Sequence, residues 1–577
     1  MSIRFPKLAQ IPNRQEGVTA FGGLNHNLRI RDSEFYAMRN MTSDLLPVIS
    51  SRKPRKRLRN FYAPNGMHAH NELCWASADK FHYARVGAVG DIIDSKKFFC
   101  NMGSKVLIFP DAAFYDTATG EFGQLGAKYV STGNVTATLC KLDGTAYNHT
   151  SGTTAPENPA HGDCWMDTSG ETPVLRQWSD NSNNWVSIVT VYTKIEAEGI
   201  GKAFDVNDGV TLSGFTNNAL NGEFYVVQKG NNYIVVVALI TTGVEQTEPV
   251  TVERKIPALD FVVEYENRLY GCNSSKHEIY VSALGNPKNW HQHLGIASDS
   301  FVATVGSLGN FTGATTKNGY VLFFKEDCVH MVSPFNTTFR VTEMACEGVA
   351  RNCAKSLCNV NGTLYYMGAD GVYAFGNGNP YKISDALGKG RLTEGIAGQL
   401  NGKYYLSARN ESGNRDLYVY DPRTGVWMRE DEIDAWYMVS HKDDLFVMDT
   451  DGFVWSMAGD DWYANADTVD EGEVEWMLET GDIGFERQAA QFVSSIQLHA
   501  EAEAHCPFYV EIQYNGKGNW EQVYEYNPAE RRSMVIPIIP RRARIIRLKL
   551  HGTGDFQLYS MTMRIETGSD YYATQRY

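Results

Sequence analysis

A turn, an aromatic-rich strand, a polar turn and a second aromatic strand recur along the chain about every 40 to 50 residues. The copies begin at Glu266 (ENRLYGCNSSKHEIYVSAL), Asn318 (NGYVLFFKEDCVHMVSP), Asn361 (NGTLYYMGADGVYAFGN), Asn401 (NGKYYLSARNESGNRDLYVYDP) and Asp443 (DDLFVMDTDGFVWSMAG). One hairpin cannot bury both of its faces, whereas hairpins arranged as blades around an axis bury them against one another. The sequence therefore predicts an all-β fold, an irregular β-propeller of about six or seven blades.

The composition agrees with a strand-rich protein. Of the 577 residues 12% are aromatic and 52 are Gly, which favours short strands joined by tight turns. The longest apolar run, residues 233–240, is too short to span a bilayer, and the first residues lack the apolar core of a signal peptide. We therefore expect neither stable membrane insertion nor export by the general secretion route.

Charge and motif content exclude several classes of function. The net charge of −14 repels duplex DNA overall, so we expect no general wrapping of nucleic acid, although DNA could still slide through a channel of this charge without sequence-specific binding. Phosphate-binding loops, nucleophile elbows and zinc-type cysteine spacings do not occur in the sequence. Two histidine pairs, His68 with His70 and His291 with His293, have alternate spacing but no recognisable third ligand. We expect no cofactor and no metal.

Five segments are predicted along the chain. Residues 1–60 form an extended N-terminal arm with one short helix from Ser33 to about Met41, residues 61–124 the first blades, 125–256 one or more inserted small β modules, 257–471 the remaining blades, and 472–577 a C-terminal β-sandwich and tail. Pro and Gly interrupt the arm, and its Asp32 or Ser33 suits a helix N-cap.

Two groups of side chains are candidate contact sites. Three tryptophans lie in an Asn-, Ser- and Thr-rich part of the insertion, where they could stack on sugar rings or form the core of a small module: Trp165, Trp178 and Trp185. A basic run could contact phosphate or an acidic partner subunit, or could be a solvated turn beside a strand: Arg52, Lys53, Arg55, Lys56 and Arg57.

Carboxylates are the remaining candidates, because a propeller glycosidase could use a pair of them. They cluster near one repeat: Asp421, Glu430, Asp431, Glu432 and Asp434. No spacing singles out two of them, and the sialidase-type Asp-box S-x-D-x-G-x-T-W is not matched. We therefore assign no catalytic residue and expect a protein without an enzymatic step.

Two stretches resemble a known family. Residues 17–58 (GVTAFGGLNHNLRIRDSEFYAMRNMTSDLLPVISSRKPRKRL) resemble its opening, in which a GGLN start and an N-M helix lead to an R-K-P or R-P-G turn before a propeller. Residues 266–290 (ENRLYGCNSSKHEIYVSALGNPKNW) are similar to its blade pattern R-L-Y…I-Y-x-S-x-x-G-x-P-x-x-W. The family is that of the tail nozzle or hub proteins of short-tailed phages, also called packaged-DNA stabilisation proteins. The insertion and the terminal sandwich are not obligatory in it.

The resemblance implies a virion protein, made in the host cytoplasm, that forms a homo-oligomeric ring of usually six copies on the portal–adaptor complex. The ring would surround the DNA exit channel, retain packaged genomic DNA until ejection, contact other tail proteins, and dock tail fibres or spikes. The arm would lie on a neighbouring subunit, so deletion of residues 1–45 is expected to leave folded monomers that cannot assemble.

Two alternatives stay open. One is a baseplate or host-recognition protein of a longer-tailed phage, in which the insertion or the terminal sandwich binds cell-surface glycan. The other is a propeller-type carbohydrate-active enzyme, which would need one specific pair of the carboxylates above.

Overall fold

The computed structural model describes residues 13–335, 338–484, 491–526 and 533–567. Within these ranges the chain has 52 strands and four short 3-10 helices but no α-helix, so the expected all-β fold is confirmed. In the same residues no helix has the length and apolar character needed to cross a membrane. The chain divides into two compact units: unit 1 comprises residues 1–78, 324–329 and 344–577, and unit 2 comprises residues 79–323 and 330–343.

The N-terminal segment, residues 13–60, is a series of strands that we call the N-terminal strap. Its strands are β1 (Asn13–Val18), β2 (Phe35–Arg39), β3 (Met41–Thr42), β4 (Ile49–Ser51) and β5 (Lys56–Asn60). The predicted helix from Ser33 to Met41 is therefore wrong. A bulge between Phe35 and Ala37 interrupts the alternation of β2, so Phe35 and Met38 are both buried at a spacing of three that imitates a helical period.

The first two blades follow the strap as antiparallel sheets. Blade 1 contains β6 (Pro64–His70), β7 (Glu72–Ser77), β8 (Lys80–Tyr83) and β9 (Gly87–Asp91), and blade 2 contains β10 (Phe98–Met102), β11 (Lys105–Phe109), β12 (Ala113–Asp116) and β13 (Phe122–Gln124). Each blade keeps its strands in chain order, as expected when consecutive hairpins build one sheet.

An inserted module follows blade 2. Its strands are β14 (Ala127–Val130), β15 (Val135–Cys140), β16 (His149–Gly152), β17 (Cys164–Asp167), β18 (Val174–Ser179), β19 (Asn184–Ser187), β20 (Tyr192–Glu196), β21 (Gly209–Ser213), β22 (Gly222–Gly230), β23 (Tyr233–Val237), β24 (Val244–Gln246) and β25 (Thr251–Arg254), with 3-10 helices at Ile200–Lys202 and Asn218–Leu220. Strands β16 to β19 form one sheet and the other eight form a second. The end strands β14 and β25 pair, so the module leaves and rejoins the propeller at one place.

Five further blades, numbered 3 to 7 in chain order, complete the propeller. They contain β26 (Phe261–Tyr265), β27 (Arg268–Asn273), β28 (Glu278–Val281) and β29 (Phe301–Thr304); β30 (Gly313–Lys317), β31 (Tyr320–Phe324), β32 (Cys328–Phe335) and β33 (Thr338–Ala345); β34 (Cys358–Val360), β35 (Thr363–Met367), β36 (Val372–Phe375) and β37 (Tyr381–Lys382); β38 (Thr393–Leu400), β39 (Lys403–Arg409), β40 (Arg415–Asp421) and β41 (Val426–Arg429); and β42 (Ala435–His441), β43 (Asp444–Asp449), β44 (Phe453–Ser456) and β45 (Val469–Asp470). Short 3-10 helices lie at Ala354–Ser356 and Asp385–Leu387. The predicted propeller class is confirmed, with seven blade sheets.

Blade 7 takes one strand from the strap. Strand β5 lies between β44 and β45, with Asn60 opposite Phe453 and Arg57 opposite Val469. The last blade therefore contains strands from both ends of the propeller sequence, which satisfies the edge of β44 with backbone hydrogen bonds.

The C-terminal strands form two sheets, as a β-sandwich requires. They are β46 (Glu475–Thr480), β47 (Gln491–Ala502), β48 (Phe508–Tyr514), β49 (Trp520–Tyr526), β50 (Ser533–Pro537), β51 (Ile546–Thr553) and β52 (Phe556–Thr567). Trp476 and Phe556 stack in the core with ring centroids 3.8 Å apart. The predicted C-terminal tail, residues 568–577, lies outside the described residues.

The strap also belongs to this sandwich. Strand β2 pairs with β46 in one sheet, and β1 and β4 pair with β52 in the other. The backbone N–H of Leu24 donates to the carbonyl of Trp427 in blade 6 at 2.6 Å. Residues 13–60 are thus integral to the fold of their own chain, and the predicted extended arm is instead a series of paired strands.

Candidate functional site

The basic run is used mainly inside the chain. Arg55 is buried and donates to the carboxylates of Glu430 and Asp431, and Arg52 donates to both carboxylate oxygens of Glu471 at 2.7 Å each. We call these five residues the arginine cluster. Because a buried cation needs an opposite charge and satisfied hydrogen bonds, the cluster attaches the strap to blade 6 and to the segment after blade 7.

The other three basic residues differ in exposure. Lys56 pairs with Asp461 at 2.5 Å, and the guanidinium of Arg57 lies 4.6 Å from the centre of the Phe453 ring. Lys53 is exposed. Lys53, and to a smaller extent the half-buried Lys56 and Arg57, therefore keep exposed surface, whereas Arg52 and Arg55 are enclosed by their intrachain partners.

Two carboxylates of the arginine cluster have shifted pKa values. Burial by itself would raise the pKa of Asp431, but the charges of Arg55 and Arg52 outweigh it and hold the pKa below its usual value. For Glu471, burial is likewise outweighed by the hydrogen bonds and charge of Arg52. Both carboxylates are thus ionised at neutral pH, and their ionised form stabilises the fold.

This arrangement predicts a loss of stability in acid. Since the folded pKa values lie below the unfolded ones, the contribution is complete above about pH 5 and is lost as the pH falls below about 4. We expect Glu471→Gln to lower the melting temperature at pH 7 by about 2–4 °C and to flatten its decline between pH 5 and pH 3. Calorimetry at pH 7 and between pH 5 and pH 3 measures the lower melting temperature and its flatter decline. Glu171→Gln, at an exposed glutamate, is the control; parallel profiles for wild type and Glu471→Gln would contradict the prediction.

The predicted carboxylates separate into two groups. Asp421 is fully buried and accepts hydrogen bonds from Ser43 and Arg423, at 2.8 and 2.9 Å, so it is structural like Glu430 and Asp431. Glu432 and Asp434 instead line an open cleft of about 610 Å³ in unit 1.

This polar cleft has a balanced set of charges. Besides Glu432 and Asp434, four charged residues that no sequence pattern singled out line it: Arg409, Arg415, Asp416 and Arg429. Arg429 donates to Asp416 at 2.6 Å and to Glu432 at 2.9 Å, and Arg409 donates to Asp434 at 3.1 Å. Three cations facing three anions satisfy one another, so the cleft suits a polar neutral ligand better than a polyanion.

One side chain of the polar cleft lacks a partner. His26 Nε2 is buried without a hydrogen bond to any residue that the structure describes. Burial, followed by the charge of Arg429, lowers the pKa of His26, so its imidazole is neutral at pH 7. The path of the strap brings His26 to the 3-10 helix Asp385–Leu387 before blade 6, where its backbone N–H donates to the carbonyl of Ala386 at 2.7 Å, and no local sequence signal marks it.

The three candidate tryptophans meet in the inserted module. The Trp185 ring lies 5.6 Å from both Trp165 and Trp178, with edge-to-face angles of 64° and 66°. Trp165 is 6% exposed and donates to the carbonyl of Gly152, so it belongs to the core. Trp178 and Trp185 are half-buried, and such an aromatic pair contributes about 0.5–1.5 kcal/mol while leaving ring surface open.

The histidine pairs lie on separate elements. His68 and His70 are in β6, and His291 and His293 follow β28. Among the residues that the structure describes, no group of three or more His, Cys, Asp or Glu is arranged to hold a metal ion.

Solved structures similar to this chain are β-propeller proteins. They include an exo-β-1,3-galactanase from Phanerochaete chrysosporium (8% identity, 52% of this chain and 94% of that chain, TM-score 0.20), the endosialidase of phage phi92 (8%, 70% and 68%, TM-score 0.22) and AztD from Citrobacter koseri (11%, 63% and 96%, TM-score 0.25). No protein-family model and no curated protein sequence matches the chain. At such low identity the likeness bears on the fold alone, and it does not identify a nozzle.

One expectation is corrected by these neighbours. The lack of a catalytic motif in the sequence predicted a protein without an enzymatic step, and that prediction is wrong. The galactanase and the endosialidase are enzymes with propeller folds, so the fold does not separate this chain from enzymes.

Proposed function

We propose that this chain is a structural protein of a phage tail, a hub or nozzle component that assembles as a ring around the DNA exit channel and docks fibres or spikes. The observation that supports this most is the role of the N-terminal strap. The stretch that resembles the opening of the nozzle family, residues 17–58, is also the stretch that joins blade 6, blade 7 and the terminal sandwich within unit 1.

The glycine of the GGLN start has a specific packing role. A Cβ atom on Gly23 would lie 2.2 Å from the carbonyl oxygen of Trp427, closer than any side chain allows. The next residue, Leu24, is buried and donates its backbone N–H to that same carbonyl. The motif is therefore explained by close attachment of the strap to blade 6, as expected of a motif that defines an architecture.

The second stretch that resembles the family, residues 266–290, attaches a loop to its own blade. The Arg268 guanidinium donates to the carbonyl oxygens of Ser282 and Asp299 at 2.8 and 2.7 Å, and the Ser282 hydroxyl accepts from the backbone of Leu269 at 2.9 Å. Trp290, at the end of the motif, is buried and donates to Pro287 at 3.0 Å. These residues hold a long loop onto its own blade, which again indicates an architectural role.

The net charge and the joined ends of the propeller sequence suit a mechanical part of a virion. At a net charge of −14 the protein repels duplex DNA overall, so DNA that passes it adheres little. The last blade includes a strand from the opposite end of the propeller sequence, so backbone hydrogen bonds between β44 and β5 join the two ends of that sequence.

A reconstruction of the virion that contains this chain tests the proposal. We expect several symmetry-related copies of the propeller around the channel at the distal end of the tail, and labelling of a tagged chain at that position. Absence of the chain from purified virions, or copies placed away from the channel, would show that it is not a hub or nozzle.

A second candidate function is glycan recognition by the inserted module. It is favoured by the half-buried rings of Trp178 and Trp185, which adjoin the Asp180 carboxylate that accepts from Trp178 Nε1 at 2.9 Å. On a glycan array, we expect the full chain to bind a defined glycan and the Trp185→Ala variant to lose that binding.

A hydrolase at the polar cleft is tested separately. Release of reducing sugar by the wild-type chain that is lost in Asp434→Asn would assign a hydrolase to the polar cleft.

A further inference from the structure

A second cleft lies within unit 2, where the loop after β28 packs on the inserted module. Its volume is about 310 Å³, which is in the range of pockets for small ligands. One wall comes from β21 and β22 of the module, and the other from residues 255–258 and from blade 3. It is distinct from the tryptophan cluster, none of whose members lines it.

The floor of this cleft is apolar and partly aromatic. The residues that provide it are Val210, Phe224, Tyr225, Ile256, Pro257 and Tyr280. Phe224 and Tyr225 are half-buried, whereas the Tyr280 hydroxyl donates to the carboxylate of Glu278. Aromatic faces beside polar groups are the surface on which the apolar face of a pyranose ring stacks.

Close packing fixes one wall of the cleft in place. A Cβ atom on Gly209 would lie 2.5 Å from the Cβ of His291, so the glycine lets the histidine approach β21. Asn289, which is 1% exposed, donates to the carbonyl of Asn207 and accepts from the backbone N–H of His291 at 3.2 Å. The histidine wall is thus held before any ligand arrives, which reduces the entropy cost of binding.

The rim has an excess of positive charge in a chain whose net charge is −14. Lys255 and Lys276 line the cleft with one carboxylate, Glu223. Lys276 is exposed, and Lys255 Nζ lies 3.9 Å from the carboxylate of Glu253, too far for a hydrogen bond. Because Lys255 also lies near Glu253, the exposed Lys276 is the ammonium group that most favours a ligand with a negative charge.

The remaining polar groups of the cleft, Glu223 and His291, can form hydrogen bonds with the hydroxyls of a ligand. Glu223 is an acceptor, and burial holds the pKa of His291 below its usual value, so the neutral imidazole offers one donor and one acceptor at pH 7. None of the lining residues is an arginine that could grip a phosphate bidentately. A ligand with a single carboxylate, several hydroxyls and an apolar ring face satisfies all of these groups.

We propose that this cleft binds a carboxylated sugar residue, its ring against Tyr225 and its carboxylate toward Lys255 and Lys276. The proposal goes beyond the tail-hub function, because a ring around DNA needs no saccharide. Acidic sugars occur both as sialic acids and as uronic acids, and the cleft chemistry is shared by the two.

Titration calorimetry of the full chain with 3′-sialyllactose, digalacturonate and lactose tests this proposal. We expect at least one of the two acidic sugars to bind saturably, and lactose, which lacks the carboxylate, to bind at least about tenfold more weakly. Which acidic sugar binds identifies its class. Lys276→Gln should weaken the acidic sugar about tenfold and Tyr225→Ala should abolish its binding, whereas Lys202→Gln, at an exposed lysine of the same module, should bind as the wild type does.

Three results would overturn the proposal. The first is no saturable binding of either acidic sugar to the folded wild-type chain. The second is equal affinity for 3′-sialyllactose, digalacturonate and lactose. The third is unchanged binding in both Lys276→Gln and Tyr225→Ala, which would place the sugar elsewhere. None of these bears on whether the chain forms a ring in the virion, so the two proposals fail separately.

Discussion

Deleting residues 1–45 is expected to unfold the terminal β-sandwich rather than to leave intact monomers. The deletion removes β1, which pairs with six residues of β52, and β2, which pairs with β46. It also removes five buried apolar side chains of the strap: Phe21, Leu24, Phe35, Met38 and Met41. At roughly 1.5–3 kcal/mol for each, the loss is on the order of 10 kcal/mol. The stability of a whole domain is about 5–15 kcal/mol, so little would remain.

Near-UV circular dichroism and limited proteolysis measure this outcome. We expect loss of the tertiary signal of Trp476, which is stacked in the sandwich core, and rapid cleavage after residue 471. Deleting residues 1–12, which removes none of the described strands, is the matched control. A truncated chain that keeps the wild-type spectrum and resists protease would show that the strap is a detachable arm after all.

Arg55→Ala is expected to lower the free energy of unfolding by about 3–5 kcal/mol. The side chain is 3% exposed and its guanidinium serves Glu430 and Asp431, so its removal leaves two carboxylates in a buried site without their main cation. Burial would lower the pKa of Arg55, yet the charges of Asp431 and Glu430 outweigh it and raise the pKa. The arginine is therefore charged at every accessible pH, so it neutralises Glu430 and Asp431 whenever they are ionised.

Urea denaturation of the full chain, followed by Trp fluorescence, measures this loss. Arg57→Ala is the matched control, because Arg57 is half-buried and its guanidinium lies over the face of Phe453; we expect this substitution to cost less than about 1 kcal/mol. The triple variant Arg55→Met, Glu430→Gln, Asp431→Asn should recover most of the stability, since it removes the buried charges together. An Arg55→Ala chain as stable as Arg57→Ala would contradict the central role of the arginine cluster.

The hairpin repeat was sufficient to predict the blades. Stretches such as that beginning at Asn361 place Tyr365 and Tyr366 next to each other, and both are buried, as expected of a strand with neighbours on both faces. The turns between them show their own signal, since Asn361 and Gly362 both adopt positive φ angles. Such features are local, so a sequence shows them directly.

The candidate sites were less accessible to sequence reasoning. The tryptophans were found because three large aromatic residues fall within one small module, and the structure does bring them together. The basic run was also found, but its two buried members, Arg52 and Arg55, pair with acids that lie several hundred residues away. The cleft beside Tyr225 combines residues of the inserted module and of blade 3, and no single segment shows it.

The sequence by itself determined that this chain builds repeated antiparallel hairpins, because turn residues and aromatic strands set backbone geometry over a few residues. The tertiary structure decided where the first sixty residues go. Asn60 lies opposite Phe453 and Arg14 opposite Ile565, and nothing local to either partner specifies the other. The physical reason is that an open strand edge and an unpaired buried charge exist only after the rest of the fold has formed, so their partners are selected by the assembled chain.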